Sequence, residues 1–377
     1  MTHFHPRRTI RKIVHFLSGQ FILTIAVIAM CITCIFVPVD KAYWDYFNWQ
    51  TLATLFCTLA VVAAFAHIHV FEIISKNIVL KLNTLRRATI GLVFITFVGS
   101  MILANDMALL TFLPLGYYVL KSTDNKQAMG FTFIMQNIAA NLGGMVTPFG
   151  NPQNLYLYAH YEIGNGEFVK IMLPTFLTAM ILILICCFFV KDTPLTLKKD
   201  HSYTLDVKRT VLYSILFVAS ILIVFRIVPY VAGTIVIALL LFFLDKKALK
   251  EVNYPLLATF CVFFVFSGNM ARIPQVSEFF SWLLPKNTLL FGILSCQFIS
   301  NVPSAVLLSH FTTDYQSLLP AVNIGGLGTI IASLASLITV SQYRRHDPMG
   351  LKKYMVQFTL LNLLFLVVLY GVQCFFL

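Results

Sequence analysis

Few residues in this chain are of a type and placement that can do chemistry. Fourteen of its 15 acidic side chains fall in polar connecting segments, and the remaining one, Asp106, sits inside the apolar stretch Thr89–Leu120. A carboxylate there is costly unless it is protonated, paired or bound to a cation, so Asp106 is a candidate for ion coupling. A second polar concentration is Gly143-Gly144-Met145-Val146-Thr147-Pro148-Phe149-Gly150-Asn151-Pro152-Gln153-Asn154. Proline removes a backbone donor and glycine adds backbone freedom, so a helix must unwind there. The freed carbonyls and the Thr, Asn and Gln side chains form an oxygen-rich lining, while half-helix N-termini favour an anion. Gly325-Gly326-Leu327-Gly328-Thr329, followed by Ser333 and Ser336, keeps the glycines and hydroxyls without the prolines, which predicts a milder break.

Other candidates carry less. Cys31 and Cys34 have redox or metal spacing, but no second pair accompanies them, and all eight cysteines lie in apolar runs where they act as small hydrophobes. His67 and His69 flank the inner end of a span and read as interfacial residues, and no structural metal is expected. No Lys, Arg or His falls at mid-membrane depth: Arg226 is near an outer end, where it can snorkel, and His310 is on the return arm of the second interrupted stretch. An intramembrane enzyme would need a nucleophile with its base or a second deep carboxylate, and neither Gly-x-Ser-x-Gly nor His-Glu-x-x-His occurs. The Phe-rich spans read as lipid-facing packing, so no cofactor is expected beyond a coupling ion, H⁺ or Na⁺.

The elements that must position these residues follow from composition. The 377 residues are 59% apolar and 11% charged, against about 25% charged in soluble domains. This is an all-α polytopic membrane protein, and disordered, collagenous, secreted disulfide-rich and nucleic-acid-binding classes are excluded. The longest polar stretch, Lys191 to Arg209, leaves no room for a soluble catalytic domain. The N-terminal basic cluster precedes an apolar run too long for a signal peptide, so it reads as a retained first span. Spans are predicted near Val14–Phe36, Tyr46–Ala66, Ala128–Tyr158, Val169–Val190, Val211–Val228, Val228–Leu244, Tyr254–Met270, Leu318–Val340 and Tyr354–Phe376. Thr89–Leu120 is interrupted at Asn105-Asp106 and Thr288–Thr313 at Ser300-Asn301-Val302-Pro303. Arms of roughly 15 residues in the first stretch cover about 22 Å of a core about 30 Å thick, and those of the second are shorter still, so both stretches read as re-entrant hairpins.

With the N-terminus inside and neither hairpin crossing, 22 of the 27 basic residues fall in inside segments and only Lys41, Lys170, Arg226, Arg272 and Lys286 outside, as the positive-inside rule requires. The C-terminus then lies outside. Each half has two spans, an amphipathic stretch (Ile68–Arg87, Ile273–Leu284), a hairpin and two more spans, and an extra crossing inverts the second half. The repeats are 1–190 (hairpin 88–120, broken helix 127–160) and 229–377 (hairpin 288–313, broken helix 316–340), joined by 191–228. Ala104-Asn105-Asp106 aligns with Ser300-Asn301-Val302, and Asn141, Gly143, Gly144 and Thr147 with Asn323, Gly325, Gly326 and Thr329. Inverted repeats with broken helices meeting near the midplane are the architecture of secondary transporters. Hairpins approaching from opposite faces favour gated alternation over a channel.

At Ala104-Asn105-Asp106-Met107-Ala108-Leu109-Leu110, Thr147-Pro148-Phe149-Gly150-Asn151-Pro152-Gln153-Asn154, Ser300-Asn301-Val302-Pro303-Ser304 and Asn323-Ile324-Gly325-Gly326, the chain resembles the ion-transporter superfamily of citrate carriers, divalent anion/sodium symporters, arsenite permeases and sodium/proton antiporters. Within it, the chain most resembles small inner-membrane permeases of the citrate-transporter-like group. The resemblance implies a multi-pass carrier of the inner membrane moving a small anion or oxyanion by H⁺ or Na⁺ coupling. It implies substrate and ion contacts at Asn105, Asp106, Thr147, Gly150, Asn151, Asn154, Ser300, Asn301, Ser304, Thr329 and Ser333, with Na⁺ near Asn105, Asp106 and Asn151. Relatives of this architecture are often dimers, which implies a homodimer in the bilayer, and no nucleic-acid partner is expected. Dicarboxylate symporters carry Ser-Asn-Thr at both tips, whereas these tips read Ala-Asn-Asp and Ser-Asn-Val. The first is more like the arsenite-permease side, which keeps cation/proton exchange or oxyanion efflux as the alternative.

Overall fold

A computed structural model of the protein describes residues 21–73, 82–195 and 204–376. The N-terminal basic cluster, the start of the span predicted at Val14–Phe36, much of the stretch Ile68–Arg87 and the centre of the Lys191–Arg209 loop lie outside the described residues.

Apolar runs in hydrocarbon must satisfy their backbone groups within the segment, and the described chain is accordingly helical, with one isolated bridge between Thr84 and Pro194. Helices α1 (Phe21–Phe36) and α2 (Trp49–His67) lead into a pair, α3 (Leu85–Leu103) and α4 (Asn105–Ser122). Then come two short helices, α5 (Met129–Gly143) and α6 (Pro152–His160), and the long α7 (Asn165–Phe188). Helices α8 (Val207–Val224), α9 (Tyr230–Leu244) and the short α10 (Lys246–Glu251) precede α11 (Tyr254–Arg272) and α12 (Pro274–Leu283), none of whose residues is buried. A second pair, α13 (Thr288–Ile299) and α14 (Asn301–Leu308), is followed by α15 (Tyr315–Ile324), α16 (Leu334–His346) and α17 (Leu351–Phe376).

Among the described residues six helices are long and apolar enough to cross a bilayer: α2, α3, α7, α8, α11 and α17. The surface is inverted relative to a soluble protein. Phe243 is 77% and Leu360 63% exposed, while Thr51, Gln136, Asn137, Asn151 and Asn362 are fully buried. Lipid tails are as apolar as leucine, so nothing forces leucine inward, whereas amides and hydroxyls must find partners inside the bundle.

Both interrupted stretches fold as helical pairs hinged at a single residue. Ala104 (φ 64°, ψ 150°) joins α3 to α4, and Ser300 (φ 76°, ψ 158°) joins α13 to α14. This corner of backbone space is nearly exclusive to glycine and costs a side-chain-bearing residue about 1–3 kcal/mol. Two of the expectations need correction. The arms of the first pair are 19 and 18 residues, about 28 and 27 Å, not roughly 15. Thr84 caps α3 before Arg86 and Arg87, and α4 runs on through Lys121, so the helices extend past their apolar centres. The second break is not milder than the first: α15 stops at Ile324 and α16 starts at Leu334, against Gly143 and Pro152 in the first. Proline is not needed there because Gly328 turns at φ +103° and the Gln297 side chain takes the freed backbone groups.

Candidate functional site

The two tips and the two breaks meet. One cavity of about 30 Å³ is lined by Asn105 and Asp106 of α4, Pro152 of α6, Ser300 to Pro303 around the start of α14, Ser333 and Leu334 at the start of α16, and Leu256, Thr259 and Phe263 of α11. That volume holds one or two waters. The N-termini of α4, α6, α14 and α16 therefore converge on one point, each carrying the equivalent of about half a positive charge. Asp106 lies among them, 6% exposed, and its Oδ1 has no hydrogen-bond partner.

The surrounding hydrogen bonds occur in pairs. At each tip the asparagine Oδ1 accepts the next backbone N–H, Asp106 to Asn105 at 3.0 Å and Val302 to Asn301 at 2.9 Å. In each break a threonine hydroxyl donates to a carbonyl just before the facing tip, Thr147 to Met101 (3.0 Å) and Thr329 to Gln297 (3.1 Å). Asn141 and Asn323 each donate to the carbonyl four residues earlier. The residues preceding α6 and α16 then cross between the halves: Asn151 Nδ2 donates to Asn323 Oδ1 (3.2 Å) and Ser333 Oγ to Asn141 Oδ1 (2.8 Å). Asn105 also donates to Asn141 Oδ1. Close packing rather than flexibility fixes one glycine here, because a Cβ on Gly143 would sit 2.1 Å from the Phe97 carbonyl.

Of the predicted contacts, Asn105, Asp106, Ser300, Asn301 and Ser333 line the cavity. Thr147, Asn151 and Asn154 brace the first break, and a Cβ on Gly150 would meet the Gly144 carbonyl at 2.4 Å. Ser304 is paired with Ser295 inside the second pair, and Thr329 is exposed beside Gln297. The sequence gives no signal for Thr259 and its neighbours on α11, which carries no motif, and marks Asn141 and Asn323 by the alignment of the two halves and, for Asn323, by the family-like motif, not as site residues. His67 faces Asp245 at 2.7 Å and His69 faces Glu72 at 2.9 Å, so the two imidazoles take different carboxylates. His310 lies just past α14, 3.3 Å from Ser267 Oγ.

Residues 13–318 match the family model described as citrate transporter. The chain is 31% identical over 294 residues to an uncharacterized transporter of Methanocaldococcus jannaschii, covering 78% of this chain and 80% of that one. It is 26% identical to the inner membrane protein YbiR of Escherichia coli, over 81% of this chain and 83% of YbiR. In fold it is similar to the crystal structure of the YdaH transporter of Alcanivorax borkumensis, with a TM-score of 0.53 and 13% identity, over 89% of this chain and 88% of that one.

Proposed function

The chain belongs to the citrate transporter family, and we propose that it is a secondary carrier moving a small anion or oxyanion across the plasma membrane, coupled to H⁺ or Na⁺ by alternating access. The observation that carries this reading is the convergence of four helix N-termini on a cavity whose single carboxylate, Asp106, has an unpartnered oxygen. The N-termini attract an anion. An ionised Asp106 opposes it, and a neutralised Asp106 does not. The coupling ion and the anion therefore favour each other's binding, as symport requires. The cavity is far smaller than a di- or tricarboxylate, so admitting one requires the two tips to part.

The inverted two-repeat layout, 1–190 and 229–377 around 191–228, is part of the proposal. It is supported by the paired hydrogen bonds and by contacts among the loops. Segments assigned inside touch one another: Leu85 with Thr193, Arg86 with Val190, His67 with Asp245, and Tyr117 stacked on His346. Segments assigned outside do likewise: Arg272 with Asp40, Arg226 with Tyr158, and Tyr315 with Glu167.

The test is reconstitution in liposomes loaded with a pH dye, with sodium, citrate, succinate, phosphate or arsenite added singly. One of the anions is expected to acidify the lumen through wild type and not through Asp106→Asn. An anion-driven change that survives the substitution removes Asp106 from coupling, and absence of uptake of every labelled anion, with and without a sodium gradient, overturns the anion reading.

A further inference from the structure

The segment joining α14 to α15, Ser309-His310-Phe311-Thr312-Thr313-Asp314, is polar where α14 itself is mostly apolar. It borders a cavity of about 940 Å³ on the side assigned outside, shared with the end of α6, with α12 and with the starts of α13 and α15. Seven Ser and Thr side chains and the Tyr161 phenol line it, together with two imidazoles, His160 at the end of α6 and His310 just past α14. The two rings lie 6.2 Å apart, centroid to centroid, and His310 is exposed. An imidazole donates one N–H when neutral and two when protonated, and each hydroxyl donates one, so this lining suits an oxyanion. The N-termini of α13 and α15 open on the same space and favour negative charge there. Asp314 is the one carboxylate on the lining. It is exposed, and its Oδ1 accepts the Ser317 N–H at 3.1 Å, capping α15.

Two short helices join this outer cavity to the tips. Helix α6 runs from Pro152, on the tip cavity, to His160, and α14 runs from Asn301, also on the tip cavity, to Leu308, next to Ser309. Their nine and eight residues cover about 14 and 12 Å. Tyr156 is buried in the wall between, its hydroxyl 2.8 Å from Ser309 Oγ and its ring 5.3 Å from that of His160 and 5.6 Å from that of Phe264. The fold does not demand such a polar lining. In the proposed repeat the matching place is the inner base of the first pair, where α3 and α5 begin and α7 ends. The cavity there, about 400 Å³, is bordered by Leu85, Phe131, Phe189 and Val190, and its described lining has one hydroxyl, Thr193, and no histidine. Packing alone would accept either lining, so the imidazoles and hydroxyls of the outer one point to a ligand.

We propose that the outer cavity is the site where the carrier first binds its oxyanion from outside, with His160 and His310 donating to the anion and the surrounding hydroxyls completing its contacts. The tip cavity of about 30 Å³ has no room for a polyatomic anion while the tips are together, whereas this one holds it with its water. The inference rests on the reading of the chain as an anion carrier and adds the place the anion occupies before the tips part. A phospholipid headgroup offers the same phosphate chemistry, and the test separates the two sources.

The test titrates purified full-length protein calorimetrically with phosphate, citrate, succinate and arsenite in turn, and with short-chain phosphatidylglycerol. Wild type, His160→Gln, His310→Gln and Ser281→Trp are compared, the last filling the cavity from exposed α12 while leaving both imidazoles in place. Nitrogen-15 spectra of histidine-labelled wild type are recorded with each compound, and the signals of His160 and His310 are assigned by their absence from the variants. At least one free anion is expected to bind wild type and to shift those two imidazole signals, and each variant is expected to bind it about tenfold more weakly, as loss of a hydrogen bond to a charged group requires. Binding that leaves the two signals in place, or that variants with wild-type melting curves retain, overturns the proposal, as does wild type binding none of the four. Phosphatidylglycerol that shifts the two signals where no free anion does makes the cavity a lipid headgroup site and also overturns it. Liposome uptake is read separately: uptake without these binding signals removes the outer site and leaves the carrier, whereas no uptake of any labelled anion removes the carrier reading and the entry role with it.

Discussion

Two aspartates of this molecule are equally buried, 6% exposed each, and are treated oppositely by their surroundings. Asp245, at the junction of α9 and α10, is fully partnered. Its Oδ2 meets His67 Nδ1 at 2.7 Å and accepts the Tyr213 hydroxyl at 2.8 Å, and its Oδ1 accepts the Ala248 N–H at 3.1 Å. Burial by itself would raise the Asp245 carboxyl, but the hydrogen bonds from His67, Tyr213 and Ala248 outweigh it and hold the group below its ordinary value. Asp106 has an orphan oxygen, a small cavity and four helix N-termini. The first arrangement fixes a charge and ties α2, α8 and α10 together. The second leaves a carboxylate oxygen without a partner, which is the feature the proposed coupling uses.

That contrast can be broken in both directions. Asp106→Asn should reduce proton-coupled transport in liposomes to background while leaving the melting temperature unchanged or raised, because a neutral isostere removes an unsatisfied carboxylate. A variant that unfolds instead would make Asp106 a structural residue like Asp245. Asp245→Ala should lower stability by about 3–5 kcal/mol in denaturant or thermal melts, since it strands His67 and Tyr213 and uncaps α10. Asn323→Ala should cost about 2–3 kcal/mol, because Asn323 accepts from Asn151 and Gln153 and donates to Asn154 and Leu319. Both transport and the melt should suffer, placing it between the two aspartates.

The pH dependence separates them further. A group whose folded pKa lies below its unfolded value stabilises the fold above the unfolded value, and that contribution is lost as pH falls through the folded one. Asp245 is such a group, with an ordinary value of 3.8. The stability gap between wild type and Asp245→Asn should therefore be constant through neutral pH and close in acid below about pH 4. The smallest effect is expected at the hinge. Ala104→Gly relieves the left-handed backbone at the first tip and should raise stability by about 1 kcal/mol, while a drop would mean that the strain is compensated elsewhere.

Much of this is legible in the sequence. The interruption at Asn105-Asp106 and the Gly- and Pro-rich run from Gly143 to Asn154 marked the first hinge and the first break, because proline and glycine act on the backbone locally and without partners. The second break was underestimated for the complementary reason. Gln297 lies 28 to 32 residues before the backbone groups it holds, and no local rule reports such a bond. The arm lengths were misjudged because the caps extend helices beyond their apolar centres.

Sequence by itself determined the environment and the periodicity of this protein: apolar runs too long for anything but membrane helices, basic residues concentrated in some of the connecting segments, and one acidic side chain inside an apolar stretch. Those features depend only on the cost of putting polar groups into hydrocarbon, a cost each segment meets alone. Tertiary structure decided which polar groups face a common cavity and which are spent on one another. Asn151, Asn154, Asn323 and Gln297 look like ligands in a list of residues, and they become braces because their partners lie across the bundle. Asp106 keeps an unpartnered oxygen because the helices around its cavity bring it no cation and the hydroxyls of Thr259, Ser300 and Ser333 donate elsewhere.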